Sequence, residues 1–237
     1  MEAILEVRNI SKQFTRNRGD SNVFYPVKNI EFLLKRGEIA MLSGKSGSGK
    51  TTFLNMVAGI LEPTEGDILI EGKNMYQMND KDLSLFRNSK IGNIPQGQTA
   101  IHSLTVIENV MLPVMLYYKD KATYNEKVKL AETLLDKMKI TDLKDVMPSE
   151  LSGGELRRVA VARALIMNPE LILADEPTSD LDEVNTNIIL QMLQEVAKTG
   201  VAVIVVTHDK EVSAIADTIY EMKEGVLQLG GEKDATN

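Results

Sequence analysis

The chain has 237 residues, of which 43% are hydrophobic and 26% charged, with a formal net charge of −7 and no cysteine. That length allows one large α/β core with a piece inserted in it, as one domain or two. The acidic balance argues against a broad nucleic-acid footprint, and the missing cysteines exclude disulfides and thiol chemistry. The N-terminus lacks the apolar core of a signal peptide, and Val201 to Val206 is far shorter than the ~20 residues of a membrane span, so a soluble, cytoplasmic protein is expected.

Along the chain, Ile4-Leu5-Glu6-Val7 and the apolar-interleaved Val27 to Leu34 read as strands, and the polar stretch Arg16 to Asn22 between them as an exposed hairpin loop. Ile39-Ala40-Met41-Leu42 is a buried strand. It leads through Gly44-Lys45-Ser46-Gly47-Ser48-Gly49-Lys50-Thr51 into a helix beginning Phe53-Leu54-Asn55-Met56-Val57-Ala58. A turn at Pro63-Thr64-Glu65-Gly66 precedes a strand at Ile68-Leu69-Ile70. The middle is helical: Asp80 to Asn88, then Thr105 to Tyr118 with Pro113 forcing a kink or a break. Thr123 and Glu126 have the spacing of a capping box, opening a helix with Val128, Ala131, Leu135 and Met138 on one face. Leu171-Ile172-Leu173-Ala174 and Val201 to Val206 are continuous apolar runs, the mark of a mainly parallel sheet covered on both faces. The polar tail after Gly230 is expected to fray.

Gly44 to Thr51 fits G-x-x-x-x-G-K-[ST] at every fixed position, and strand, glycine-rich loop and helix are the context such a phosphate loop requires. Its glycines let backbone N–H groups curl round phosphate oxygens at a helix N-terminus. Lys50 supplies an ammonium for the β- and γ-phosphates, and Thr51 a hydroxyl for Mg²⁺. Asp175 and Glu176 end the strand at 171–174. Alone they read equally as two solvated acids. With the phosphate loop upstream, Asp175 reads as the Mg²⁺ residue and Glu176 as the group that polarises an attacking water. Thr207-His208-Asp209 ends the strand at 201–206, and parallel strands deliver these ends to one crevice. His208 there serves either as a structural residue or as a sensor of the terminal phosphate. Gln96 follows Ile91 to Pro95, where a side-chain amide can reach Mg²⁺ or the water while its backbone belongs to the adjoining helical region.

Leu151-Ser152-Gly153-Gly154-Glu155 is the unusual piece. Ser152 and Glu155 make a capping box for a helix, Arg157 to Met167, that stops before Asn168-Pro169. Two glycines in a first helical turn are locally unfavourable, and make sense if an anion approaches the backbone closely. The chain thus carries two anion sites that need not serve the same nucleotide.

Taken in order, these motifs resemble the nucleotide-binding subunit of an ABC transporter over nearly the whole chain. Gly44–Thr51 resembles its Walker A loop, Gln96 its Q-loop, Leu151–Glu155 its signature, and Leu171–Glu176 its Walker B strand with the catalytic carboxylate. Ser179-Asp180-Leu181-Asp182 resembles the D-loop and His208 the switch histidine; Phe14 falls where the family stacks an aromatic on adenine, with Tyr25 the alternative. Glu155 in place of the commoner Gln, Lys45 in place of Pro, and Pro95 before Gln96 depart from the pattern.

The resemblance implies a P-loop NTPase (RecA-like) α/β core with a mainly parallel sheet, an N-terminal antiparallel β subdomain and an inserted α-helical subdomain. Residues 1–96 and 165–230 would form the core with its β subdomain, 97–164 the helical part and 231–237 a flexible tail, in a single ATPase domain. It implies ATP and Mg²⁺, with ATP held by Gly44, Lys45, Ser46, Gly47, Ser48, Gly49, Lys50, Thr51 and Thr52, and by Gln96 and Asp175. Mg²⁺ falls to Thr51, Gln96 and Asp175, and catalysis to Glu176, His208, Lys50 and Gln96. Ser152, Gly153, Gly154 and Asp182 would act in trans, because two cassettes close head to tail with ATP between them. The implied partners are a second copy of the chain and an integral membrane permease, at the cytoplasmic face of the membrane, with no nucleic acid. Leu83 to Ile91 and Leu104 to Val110 are most like the lipoprotein-release, macrolide-export and cell-division group, which leaves open transport or the mechanical control of an external enzyme. Cassettes for antimicrobial-peptide export or resistance share the pattern, importers of polar amino acids carry a similar helical segment, and a soluble cassette acting on DNA or the ribosome is disfavoured by the single compact cassette. Met111, Met115, Tyr117 and Tyr118 read equally as part of a permease-docking surface and as core.

Overall fold

The computed structural model describes residues 2–16, 22–97, 99–118 and 120–232. Its strands are β1 (Ala3–Arg16), β2 (Asn22–Lys35), β3 (Ile39–Ser43), β4 (Glu65–Ile70), β5 (Lys73–Asn74), β6 (Ile91–Ile94), β7 (Leu171–Asp175), β8 (Ala202–Val206), β9 (Thr218–Lys223) and β10 (Val226–Glu232). Its helices are α1 (Lys50–Val57), α2 (Asp80–Lys90), α3 (Val106–Tyr117), α4 (Lys121–Lys137), α5 (Gly153–Leu165), α6 (Glu183–Lys198) and α7 (Lys210–Ile215).

The strands form two sheets. One is antiparallel in the order β2-β1-β4-β5; the other runs β10-β9-β3-β8-β7-β6 and is parallel except where β10 joins β9. Alternation along the central strands divides the interior in two. On β7, Leu171 and Leu173 face a core shared with α1 and the antiparallel sheet, while Ile172 and Ala174 face a second core built with α3 to α6. β3 and β8 alternate in the same way, which is why both read as unbroken apolar runs. Near the chain start Ile4 and Leu5 are both buried, because the pairing of β1 with β2 shifts register between Ala3 and Leu5 and turns neighbouring side chains inward.

Several boundaries differ from the sequence reading. Asp120, not Thr123, caps α4: its carboxylate accepts from the Thr123 N–H at 2.8 Å, so the helix starts before the spacing of Thr123 and Glu126 suggests. The helix after Ser152 takes in both glycines and ends at Leu165 rather than Met167. Pro113 lies inside an uninterrupted α3, which is fixed at its N-terminus by a Thr105–Glu108 capping box and along one face by buried Val110, Met111 and Val114. The expected hairpin loop at Arg16 to Asn22 lies, for residues 17–21, outside the described residues, as does the tail from 233 on; the backbone of 231 and 232 continues β10. Among the described residues no helix is long and apolar enough to cross a membrane.

Candidate active site

The parallel strands aim their C-terminal ends at one edge of the sheet. Leu42 of β3 and Asp175 of β7 both lie beside Val206 of β8, so the loops after these strands meet. The loop after β3 turns into α1 at Gly49, which has φ of 111°. A Cβ at Gly49 would lie 1.9 Å from the Pro26 carbonyl oxygen, so no other residue fits without moving β2. α1 has no side-chain cap and no acid in its first turn, leaving its N-terminal N–H groups free of any such partner. Ser48 Oγ is buried and has no hydrogen-bond partner among the described residues. An uncapped helix start beside an orphaned buried hydroxyl is an arrangement a phosphate group completes.

Lys50 folds back over the loop, donating from Nζ to the carbonyl oxygens of Gly44 (2.5 Å) and Lys45 (3.0 Å). Burial pushes its pKa down, against the attraction of Glu176 and Asp175. Thr51 Oγ1 donates to Asp175 Oδ2 at 3.1 Å across 124 residues of sequence. Burial raises the Asp175 pKa; the Thr51 hydrogen bond and the nearby Lys50 and Arg157 charges act the other way, and the Glu176 charge adds to the rise. A hydroxyl and a carboxylate oxygen side by side are a hard-oxygen donor set, so these residues fit a magnesium ion.

Glu176 sits in the left-handed region, φ 47°, with its N–H held by the Val206 carbonyl at 2.8 Å. Its carboxylate accepts from Thr207 Oγ1 at 2.9 Å, and His208 Nε2 lies 4.0 Å from the other oxygen. A strained backbone and a hydroxyl brace fix where this carboxylate points. Thr207 was not legible as a site residue, because the strand end advertised only His208, whose side chain is 56% exposed. Gln96, next after Pro95 beyond β6, is exposed. Arg157 of α5, itself buried, donates to the carbonyls of Pro95 at 2.9 Å and Gly97 at 3.5 Å, on either side of Gln96. Arg163 similarly donates to the Thr99 carbonyl at 2.9 Å.

Phe14 stacks on Phe24 across the β1–β2 pair, ring centroids 5.6 Å apart, with the Lys12 ammonium 5.5 Å from the Phe14 centroid. Phe24 could not be anticipated as its partner, since only the strand register opposes the two rings. Tyr25 instead donates its hydroxyl to Gln13 Oε1 at 3.3 Å. Ser152 caps α5 with Glu155, its N–H and hydroxyl both donating to Glu155 Oε2. Asp182 caps α6, accepting from the Asn185 N–H at 2.8 Å and Nδ2 at 2.7 Å.

Residues 27–179, well over half the chain, match the family model for the ABC transporter. The chain belongs to the ABC transporter family. It is an ATPase cassette. It is 43% identical over 208 residues to the lipoprotein-releasing system ATP-binding protein LolD of Buchnera aphidicola subsp. Acyrthosiphon pisum, covering 87% of this chain and 88% of that protein. The ABC transporter ATP-binding protein YtrE of Bacillus subtilis is 36% identical over 229 residues, 96% of this cassette and 98% of its own length. The dimeric structure of MJ0796, a bacterial ABC transporter cassette, matches at a TM-score of 0.88 with 34% identity over 98% of this chain and 99% of that one. A dimer of MJ0796 in a post-hydrolysis state, bound to ADP and Pi, matches at 0.85 with 32% identity, again over 98% and 99%.

Proposed function

We propose that this cassette is the energising subunit of an exporter of the lipoprotein-releasing type, in which two copies close on ATP and hydrolysis reopens them. The observation that carries the reading is the convergence, on one sheet edge, of an uncapped helix start, Lys50, the Thr51–Asp175 pair and the braced Glu176 carboxylate. Identity with LolD across most of the chain supports the transporter class, and the MJ0796 dimers support two copies as the working unit.

In this reading the N–H groups of residues 44–52 hold the phosphates, and Lys50 exchanges the carbonyls of Gly44 and Lys45 for β- and γ-phosphate oxygens. Thr51, Asp175 and Gln96 would hold Mg²⁺, which when bound would spread the negative charge of the phosphate oxygens. Glu176 takes the proton of a water whose oxygen bonds to the γ-phosphorus; the bond to the β-phosphate oxygen breaks and its electrons leave with ADP. Thr207 keeps the receiving carboxylate aimed, and His208 stands beside it to contact the γ-phosphate. Phe14, backed by Phe24, offers adenine a ring face. From the partner copy, Ser152, the Gly153 and Gly154 amides and Asp182 close the site. Residues 97–164 transmit the closure to a membrane permease, which places the cassette on the cytoplasmic face of the membrane.

Two variants test this. Glu176→Gln is expected to bind ATP without turning it over and to accumulate as a dimer in sedimentation; Lys50→Ala is expected to lose ATP binding. Wild-type turnover in the first or micromolar ATP affinity in the second would overturn the assignment. Co-purification of the trapped Glu176→Gln dimer with a permease from solubilised native membranes tests the transporter class, and recovery of soluble partners alone would contradict it.

A further inference from the structure

Gly154 does not adopt a left-handed φ, so its backbone conformation alone does not call for glycine. Space does. A Cβ at Gly154 would lie 2.7 Å from Asn185 Cγ, 2.7 Å from Nδ2 and 3.0 Å from Oδ1, so the Asn185 amide lies flat against this α-carbon. A short side chain at such a distance can normally swing aside. Asn185 is not free to do so, because its Nδ2 donates to Asp182 Oδ2 and its own N–H donates to Asp182 Oδ1. These bonds belong to the N-terminal cap of α6, whereas Gly154 is in the first turn of α5. The two helix starts are therefore clamped to one another within one chain, with a half-buried carboxamide as the wedge.

We propose that Asn185 is a positioning residue for the Ser152–Gly154 turn: through contact with Gly154 it fixes where the amides of that turn point, and Asp182 fixes Asn185. The inference rests on the reading that this turn meets the nucleotide of a partner copy. Asp182 acts in its own chain, spending both carboxylate oxygens on Asn185, so that its removal disturbs the signature turn as well as any contact across the dimer. The absence of a Cβ at Gly154 answers first to Asn185 and only then to an approaching phosphate. A residue that opposes the glycine and is held by the neighbouring loop thereby couples the position of the 179–182 loop to that of the signature turn.

The test is a double-mutant cycle on the full chain carrying Glu176→Gln, reading the dimer dissociation constant in Mg-ATP by sedimentation. Gly154→Ala is expected to weaken the dimer about tenfold or more and Asn185→Ala about threefold to tenfold; the double variant should be no weaker than Asn185→Ala alone, a rescue of at least about tenfold relative to additivity. Asn185→Ala should leave the affinity of the monomer for a fluorescent ATP analogue unchanged, which a general loss of structure would not. Urea unfolding of the nucleotide-free proteins reads the same cycle independently of assembly: Gly154→Ala lowers the midpoint, and adding Asn185→Ala restores part of it. If the two effects are independent in both measurements, multiplying in the dissociation constant and adding in the urea midpoint, Asn185 is not the reason for the glycine and the inference is wrong. If the Glu176→Gln parent itself binds ATP but stays monomeric, the paired-site reading falls, and this inference with it.

Discussion

Gly47 and Gly49 stand two residues apart in the same loop, and the same added methyl group should affect them very differently. Both have positive φ, 76° and 111°. Backbone strain for a residue with a Cβ is about 1–3 kcal/mol in such regions. At Gly47 a Cβ meets nothing within 4 Å, so Gly47→Ala should cost the strain alone, about 1–2 kcal/mol. At Gly49 the same atom falls 1.9 Å from the Pro26 oxygen and 2.9 Å from Met222 Cε. That is about 1.5 Å short of ordinary contact with a β2 carbonyl, and overpacking of this kind adds about 1–3 kcal/mol. Gly49→Ala should therefore lose about 2–6 kcal/mol of a total that for ordinary domains is only about 5–15. Equilibrium unfolding in urea without nucleotide measures both, with the slope compared to confirm one transition. Equal losses, or a loss below about 1.5 kcal/mol for Gly49→Ala, would refute the close approach of loop and strand on which the site geometry rests.

Other outcomes follow from single contacts. The Tyr76 hydroxyl lies between the carbonyls of Met56 (2.6 Å) and Leu61 (2.7 Å), which share its single proton, and burial raises its pKa above the ordinary phenol value. The unfolded chain releases that proton first as pH rises through about 10, so stability is lost there by up to about 1.4 kcal/mol per pH unit. Tyr76→Phe should remove that alkaline component while costing about 1 kcal/mol at neutral pH; an unchanged alkaline slope would contradict the burial. Arg157→Met removes the donors that hold Pro95 and Gly97 around Gln96. It should cost about 1–2 kcal/mol in urea, since relief of the buried charge offsets part of the lost hydrogen bonding, and should lower turnover more than ATP affinity. Unaltered turnover would show that the grip on this loop has no part in the reaction.

The parts legible in the sequence were those whose physics is local. The Gly44–Thr51 loop and the Ser152–Glu155 cap each occupy a few consecutive residues, and both stand in the structure as those residues dictate. The runs at 171–174 and 201–206 announced a covered parallel sheet because neighbouring residues serve opposite cores. What stayed hidden is non-local, or a close choice between neighbours. The Arg157 contact with Pro95 joins residues 62 apart, the Thr207 bond to Glu176 joins residues 31 apart, and Phe24 matters only because a register with several shifts sets it against Phe14. At α4 the spacing of Thr123 and Glu126 pointed to the wrong cap, because the acceptor is the carboxylate of Asp120, three residues upstream of Thr123. Asn185 gave no sign of itself, since its importance depends on an atom that Gly154 lacks.

The central claim is that each working site draws on two copies of the chain, and mixing two inactive variants tests it most directly. One carries Lys50→Ala, which removes its own phosphate grip; the other carries Ser152→Arg, which spoils the turn it offers to a partner. Each alone should form no competent site. A mixed dimer contains one site with intact Lys50 from the second chain and intact Ser152 from the first, so ATPase activity should appear on mixing, with a maximum near equal amounts. If the Ser152→Arg chain alone hydrolyses ATP at the wild-type rate, and mixing adds nothing, the site is complete within a single chain and the account is wrong.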